Sequence, residues 1–312
     1  MESALTRNYA LTVGYLGVNA YNLSRSRDIN LFPAALTTGL LCPTNAACTA
    51  DTPGATPFRY FRRPATRPNP NFGRITLFDD GANSIYHGGF VQVTRRYSRN
   101  LQVLASYTLA KVLDSVPDGT SVVPNNFGDD SKVAQDTLQP NLDRGPGAAD
   151  IRHRFVFSSV WDLNYFNGIR NALGKAVLQG WQLSGITSFV SGEPLAVSFS
   201  TTVAMDITGS ASQGARIDAT GSAVLPKSER SFSRNVRTEV FRLPARGTIG
   251  NTSKYMLRGP GINNWDAAVI KSIPVREPLR VVFRWELYNA FNHTQFSGLD
   301  TSARFDAQGN QL

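Results

Sequence analysis

No stretch of this 312-residue sequence holds the roughly 18 consecutive apolar side chains that a membrane-spanning helix requires, so helical spanning is excluded. The N-terminus, Met1-Glu2-Ser3-Ala4-Leu5-Thr6-Arg7, lacks the charged and apolar blocks of a signal peptide. Histidine is scarce: His87, His153 and His293 stand far apart and form no His-Glu-x-x-His arrangement. Neither a Gly-x-Ser-x-Gly elbow nor a phosphate- or dinucleotide-binding glycine loop occurs, so the common hydrolase and nucleotide-dependent enzymes lose their signatures. The best acid–base candidate, Asp150 with His153, fails on geometry, because residues three apart on a strand point to opposite faces. No catalytic residue, metal ligand set or cofactor is expected. Cysteine is limited to Cys42 and Cys48, in a Pro/Thr/Ala-rich stretch with no histidine nearby to complete a metal site. A small loop disulfide in an oxidising compartment is one reading, and needs Cα atoms no more than about 7 Å apart; two unremarkable thiols are the other.

Apolar residues make up 41% of the chain, enough for a core, and exclude a disordered polymer. Lys and Arg number 32 against 23 Asp and Glu, a net charge of +9. Apart from Arg59, Arg62, Arg63 and Arg67 the basic residues are scattered, and neither a helix-turn-helix, a zinc spacing nor an aromatic-basic motif accompanies them, so nucleic acid is not an expected partner.

What the sequence does contain is alternation. In Leu279 to Phe291, Leu279, Val281, Phe283, Trp285, Leu287 and Phe291 share one face of a strand, opposite Arg280, Arg284, Glu286 and Tyr288. Leu101, Val103, Tyr107 and Leu109 oppose Gln102, Ser106 and Thr108, and Val177, Trp181, Leu183 and Phe189 oppose Gln182, Ser184 and Ser188. Strands are expected near Ala10–Ala20, Ser84–Tyr97, Leu101–Val112, Arg152–Leu163, Val177–Val190, Asn264–Ile273 and Leu279–Phe291, with no helix of useful length. Their connections alternate: Ser98–Asn100 and Pro274–Pro278 are tight turns and Asn164–Ala176 a moderate one, while 21–83, 113–151 and 191–263 are long. Long loops at one end and short turns at the other describe an up-and-down outer-membrane barrel, whose strands need only about 9 to 11 residues with half of them apolar.

On that reading Val281, Phe283, Trp285, Leu287, Trp181 and Phe189 face lipid, and Arg280, Arg284, Glu286 and Tyr288 line a wet lumen. Trp181 and Phe189, eight residues apart on one face, are separated by roughly 20 Å of height, near the spacing of two aromatic girdles.

Six blocks then occur in order: Tyr86-His87-Gly88-Gly89-Phe90, Ser106-Tyr107-Thr108-Leu109-Ala110-Lys111, Asp150-Ile151-Arg152-His153-Arg154-Phe155-Val156, Gly180-Trp181-Gln182-Leu183-Ser184-Gly185-Ile186, Gly259-Pro260-Gly261-Ile262-Asn263-Asn264-Trp265-Asp266 and Glu286-Leu287-Tyr288-Asn289-Ala290-Phe291-Asn292-His293. Together they resemble the C-terminal barrel region of Oar-like TonB-dependent outer-membrane receptors, the group with a carboxypeptidase-regulatory-like domain. The resemblance implies a barrel of about 22 strands, plugged from the periplasmic side and driven through TonB by the inner-membrane proton gradient. It also implies partners: outer-membrane lipid, the TonB complex through a plug region, and a transported ligand whose identity the mixed loop chemistry does not name. Plug, TonB box, signal peptide and a last strand ending in an aromatic residue are missing from residues 1–312. A fragment is therefore expected, an all-β, antiparallel, open partial barrel of about seven strands with long extracellular loops, since an odd strand count does not close a single-chain barrel.

Loops on a rigid scaffold carry recognition. The loop 113–151 holds Asp114, Asp118, Asp129, Asp130, Asp136 and Asp143, whose spacing is not that of an EF-hand; solvated carboxylates are the expectation and calcium the alternative. Arg59, Arg62 and Arg63 beside Phe58, Tyr60 and Phe61 suit an anionic headgroup or sugar, or simple loop decoration. The functional expectation is an outer-membrane transport protein; a secreted or surface β-rich binding or adhesion module is the alternative.

Overall fold

The computed structural model describes residues 2–30, 35–41, 49–53, 56–62, 68–72, 75–115, 140–166, 168–201, 216–244, 250–306 and 309–312. Along the chain run β1 (Glu2–Thr6), β2 (Tyr9–Asp28), β3 (Ala35–Leu41), β4 (Thr56–Arg62), β5 (Thr76–Ser98), β6 (Leu101–Asp114), β7 (Gly145–Pro146), β8 (His153–Leu163), helix α1 (Ala172–Leu178) and β9 (Trp181–Val190). There follow β10 (Pro194–Leu195), β11 (Ser198–Thr201), β12 (Asp218–Ala219), β13 (Phe241–Arg242), β14 (Leu257–Arg258), β15 (Ile262–Arg276), β16 (Leu279–Leu287) and β17 (Ser302–Phe305).

A nine-stranded sheet dominates, ordered β1-β2-β5-β6-β8-β9-β15-β16 with β7 appended to β6. Every neighbouring pair is antiparallel, and the sheet is open, with β1 and β16 as its edges. Its turns are short at one end. Arg99 and Asn100 join β5 to β6 with φ of 46° and 65°, the pair of positive values that a two-residue hairpin with the right twist needs. Glu277 and Pro278 join β15 to β16, so Pro274 belongs to the ladder, opposite Arg280, and the turn is tighter than Pro274–Pro278.

Three further differences from the sequence expectation have physical causes. β2 and β5 run on past Ala20 and Ser84 to pair Arg25 with Asp79 and Asp28 with Thr76. This extension is polar and bulged, so it carries no alternating signal, and the Arg25–Asp79 ion pair at 2.6 Å supports it. β1 adds a strand that its five residues were too few to announce. Val177 lies in α1 and not in β9: Asn171 caps the helix, its Oδ1 accepting from the Gly174 N–H at 2.5 Å, and seven residues are too few to show a helical period. Gly180, at φ +74°, then redirects the chain into β9, and a Cβ there would clash with the Ser272 carbonyl. Gly180→Ala is expected to cost about 1–2 kcal/mol from its φ alone, and more from that clash, read as a lowered urea midpoint. An unchanged midpoint would refute this account of the turn.

The core sits away from the sheet. Ile217, Ala223, Phe241, Leu257, Ala303 and Phe305 form the buried cluster, where the loop after β9 meets the tail after β16 and β11 pairs in parallel with β17. In the sheet the buried apolar side chains are small, Ala82, Ala110 and Ala268, whereas large ones such as Phe283 and Trp285 stay half exposed. A soluble sheet buries its large apolar side chains; this one presents them.

Candidate functional site: two sheet faces and a loop layer

Register decides what shares a face, because directly paired residues of an antiparallel ladder point the same way. Following the pairs across the sheet, one face carries Leu11, Val13, Val91, Val93, Val103, Tyr107, Phe155, Phe157, Leu183, Phe189, Val269, Phe283, Trp285 and Leu287. All four tryptophans, Trp161, Trp181, Trp265 and Trp285, lie on it. The other face carries Thr12, Gln92, Ser106, Thr108, Asp162, Gln182, Ser184, Ser188, Asp266, Arg280, Arg284 and Glu286, with apolar residues interspersed, among them Leu16, Val18, Phe90, Leu104, Val156, Val160, Ile186, Ile270 and Val282. Val281, Phe283, Trp285 and Leu287 are exposed at 42%, 48%, 51% and 50%, on a strand paired to β15, and are not packed into a two-sheet core.

Aromatic side chains gather toward both ends of the apolar face. Near the short turns, Trp181 stacks on Trp285 at 6.2 Å, the Lys271 ammonium lies 4.8 Å from the Trp181 ring centroid, and the Arg95 guanidinium lies 5.6 Å from that of Tyr9. Lys271 shares this face with Phe283, yet its ammonium bends to donate to the Val177 carbonyl at 3.1 Å and to that of Gln179, at the C-terminus of α1. Near the loops, Phe189 touches Phe155 at 6.1 Å and Trp265 at 5.7 Å. Phe291 has left the strand, which ends at Leu287, but its ring still meets Trp265 at 5.3 Å on the same side.

On the polar face Arg284 and Glu286 pair at 2.9 Å. Tyr288 lies beyond the strand end and donates to the Glu286 carboxylate at 3.1 Å; that hydrogen bond and the carboxylate's charge hold its phenol above the usual range. Arg284, Glu286 and Tyr288 are thus linked in series, with Tyr288 contributed by a turn.

The loop layer is fastened to the sheet by ion pairs that periodicity could not reveal. Asp114 at the end of β6 meets Lys254, Asp143 meets Arg216, and the fully buried Asp150 meets Arg258, with Arg152 at 3.6 Å. The Asp150 carboxylate also accepts from the Val112 N–H at 2.7 Å. Asp150 therefore turns away from His153, whose Nδ1 lies 2.7 Å from the Tyr107 hydroxyl. Two of the six acidic-loop carboxylates, Asp114 and Asp143, are paired with basic side chains, while Asp118, Asp129, Asp130 and Asp136 lie outside the described residues. Among the described residues no group of three or more His, Cys, Asp or Glu is placed to hold a metal. Cys42, Cys48, Arg63 and Arg67 lie outside the described residues; Arg59 and Arg62 lie in β4, beside β3. The one signal for Lys254, Arg216 and Arg258 was charge complementarity between two long loops.

Residues 1–310 match the family described as outer membrane beta barrel domain. Among solved structures, the outer membrane transporter YddB from Escherichia coli is similar, with a TM-score of 0.42 and 7% sequence identity over 99% of this chain and 29% of that one. The chain thus spans 29% of that transporter's length. No curated protein matches.

Proposed function

We propose, since this chain belongs to the outer membrane beta barrel domain family, that it is a C-terminal wall segment of an Oar-like TonB-dependent receptor that takes up a ligand across the outer membrane. The chain is an outer-membrane β-sheet protein of antiparallel strands. The apolar face of its sheet meets lipid, the face with Arg280, Arg284 and Glu286 lines the lumen, the short turns are periplasmic and the loop layer is extracellular. The observation that carries this is the apolar face itself: large exposed side chains on β2, β5, β6, β8, β9 and β16 of the sheet, with aromatic rings near the turns and again near the loops. Two open edges support a longer barrel, because among the described residues neither edge strand has a partner strand on its outer side and lipid offers its backbone groups none. The TonB-coupled part rests on the six sequence blocks, which fall on β5, β6, the entries to β8, β9 and β15, and the end of β16. A TonB complex would act through the plug, and ligand would cross along the lumen face.

Because all four tryptophans share the apolar face, the complete receptor in liposomes should have its tryptophan fluorescence quenched by brominated phospholipids. Quenching is expected to be strongest from bromines near the headgroups, where Trp161, Trp181 and Trp265 stand. Quenching by aqueous iodide with none from brominated lipid would overturn the assignment of faces. The TonB part is tested by the reading frame upstream: a plug and TonB box support it, and a signal peptide directly before Met1 overturns it.

A further inference from the structure

We infer that the lipid-facing side carries, at its loop end, a notch that binds the phosphate of an outer-leaflet glycolipid, built from Tyr15, His87, Tyr107, Lys111 and His153. The inference rests on the reading that this face meets lipid. Register brings the residues together: His87 stands opposite Lys111 across β5 and β6, and Leu109 opposite His153 across β6 and β8. Two matching pairs flank the site. Tyr15 Oη lies 2.6 Å from His87 Nδ1, and Tyr107 Oη lies 2.7 Å from His153 Nδ1, with ring centroids 6.1 Å and 6.2 Å apart. With Nδ1 engaged by a phenol, Nε2 is the ring atom that remains for a ligand.

Between the pairs the floor is open. Gly89 stands opposite both Tyr15 and Leu109, and a Cβ on it would meet nothing within 4 Å. Tyr15 is 69% exposed, Lys111 is exposed, and among the described residues no carboxylate forms an ion pair with Lys111. An ammonium, two imidazoles and two phenols without a competing carboxylate match a phosphate, for which lysine serves as a compact point charge.

Height identifies the source of that phosphate. His153 is the first residue of β8 and Lys111 the fourth from the end of β6, where the sheet gives way to the loops. That level, on the lipid side, is where outer-leaflet headgroups lie, so a lipid phosphate reaches the notch along the membrane. Three of the six sequence blocks, containing His87 and Gly89, Tyr107 and Lys111, and His153, converge there.

The test uses the complete receptor in mixed micelles with bis-phosphorylated lipid A or its dephosphorylated form, and retained glycolipid is measured by mass spectrometry after washing. The expected result is about tenfold less phosphorylated lipid A on a Lys111→Gln/His153→Gln variant, the scale of one lost charge-assisted contact. Recovery is expected in Lys111→Arg alone, and no change in Ser184→Ala on the other face. Equal retention of both lipid forms by the wild type, or of the phosphorylated form by wild type and variant, overturns the inference. If brominated lipid still quenches the tryptophans in that event, the lipid-facing assignment survives and only the phosphate notch falls. If quenching is absent as well, both fall.

Discussion

Replacing Phe283 with arginine in the complete receptor is expected to cost about 2–4 kcal/mol of membrane assembly, while Arg284→Gln next to it costs less than about 1 kcal/mol. Phe283 is the central residue of the nine-residue β16, where a charged side chain on the lipid side has the longest reach to water. Arg284 points the other way, half exposed and paired with Glu286, and a glutamine there keeps a polar group on a polar face. Lys271 sharpens the contrast, because it stands directly opposite Phe283 on the same face. That lysine is tolerated through its bonds to the Val177 and Gln179 carbonyls at the end of α1. A second cation across from it would find those acceptors taken and would add repulsion. Measured as the folded fraction in outer-membrane-like liposomes, the two substitutions should differ by about 5-fold or more in equilibrium constant. Equal behaviour, or a wild type that stays soluble without detergent, would sink the assignment of faces and return the chain to the soluble binding modules.

The sheet was legible where water and lipid impose opposite demands on successive residues. From Leu101 to Leu109 and from Leu279 to Leu287 the alternation placed the strands, and the tight turn before Leu279 identified the partner of the last one. Legibility failed where that contrast ended. The upper ends of β2 and β5 stand among polar residues on both sides, so Arg25 and Asp79 look like loop residues until their pairing is seen. α1 is seven residues long, fewer than the two full turns that would separate a helical from a strand period, and Val177 happened to fall on the odd positions of the strand that follows. Tyr288 and Phe291 kept their side of the sheet but not their strand, because Asn289, at φ 48°, turns the chain first. The loop layer was the least legible part. Its buried cluster draws Phe305 from the tail and Ile217 and Phe241 from the loop after β9, and contacts of that sequence separation leave no local pattern. The ion pairs beneath it join residues as far apart as Asp114 and Lys254 for the same reason.

Those ion pairs set the second large effect. Arg258→Met is expected to loosen the loop layer by about 3–5 kcal/mol, because it leaves the fully buried Asp150 carboxylate with only the Val112 N–H and a guanidinium 3.6 Å away. Asp150→Asn should cost less, about 1–3 kcal/mol: the amide oxygen still accepts from Val112, and the Arg258 side chain, 35% exposed, turns to water. The double variant should be milder than Arg258→Met alone, since it removes the stranded charge together with its partner. Amide hydrogen exchange across residues 216–258 reads the opening of the layer directly, and the strands of the sheet serve as the internal reference. The order of the three variants is the point at issue. If Arg258→Met exchanges no faster than Asp150→Asn, Asp150 is not a buried anion held by Arg258, and the loop layer is fastened to the sheet by its apolar cluster instead.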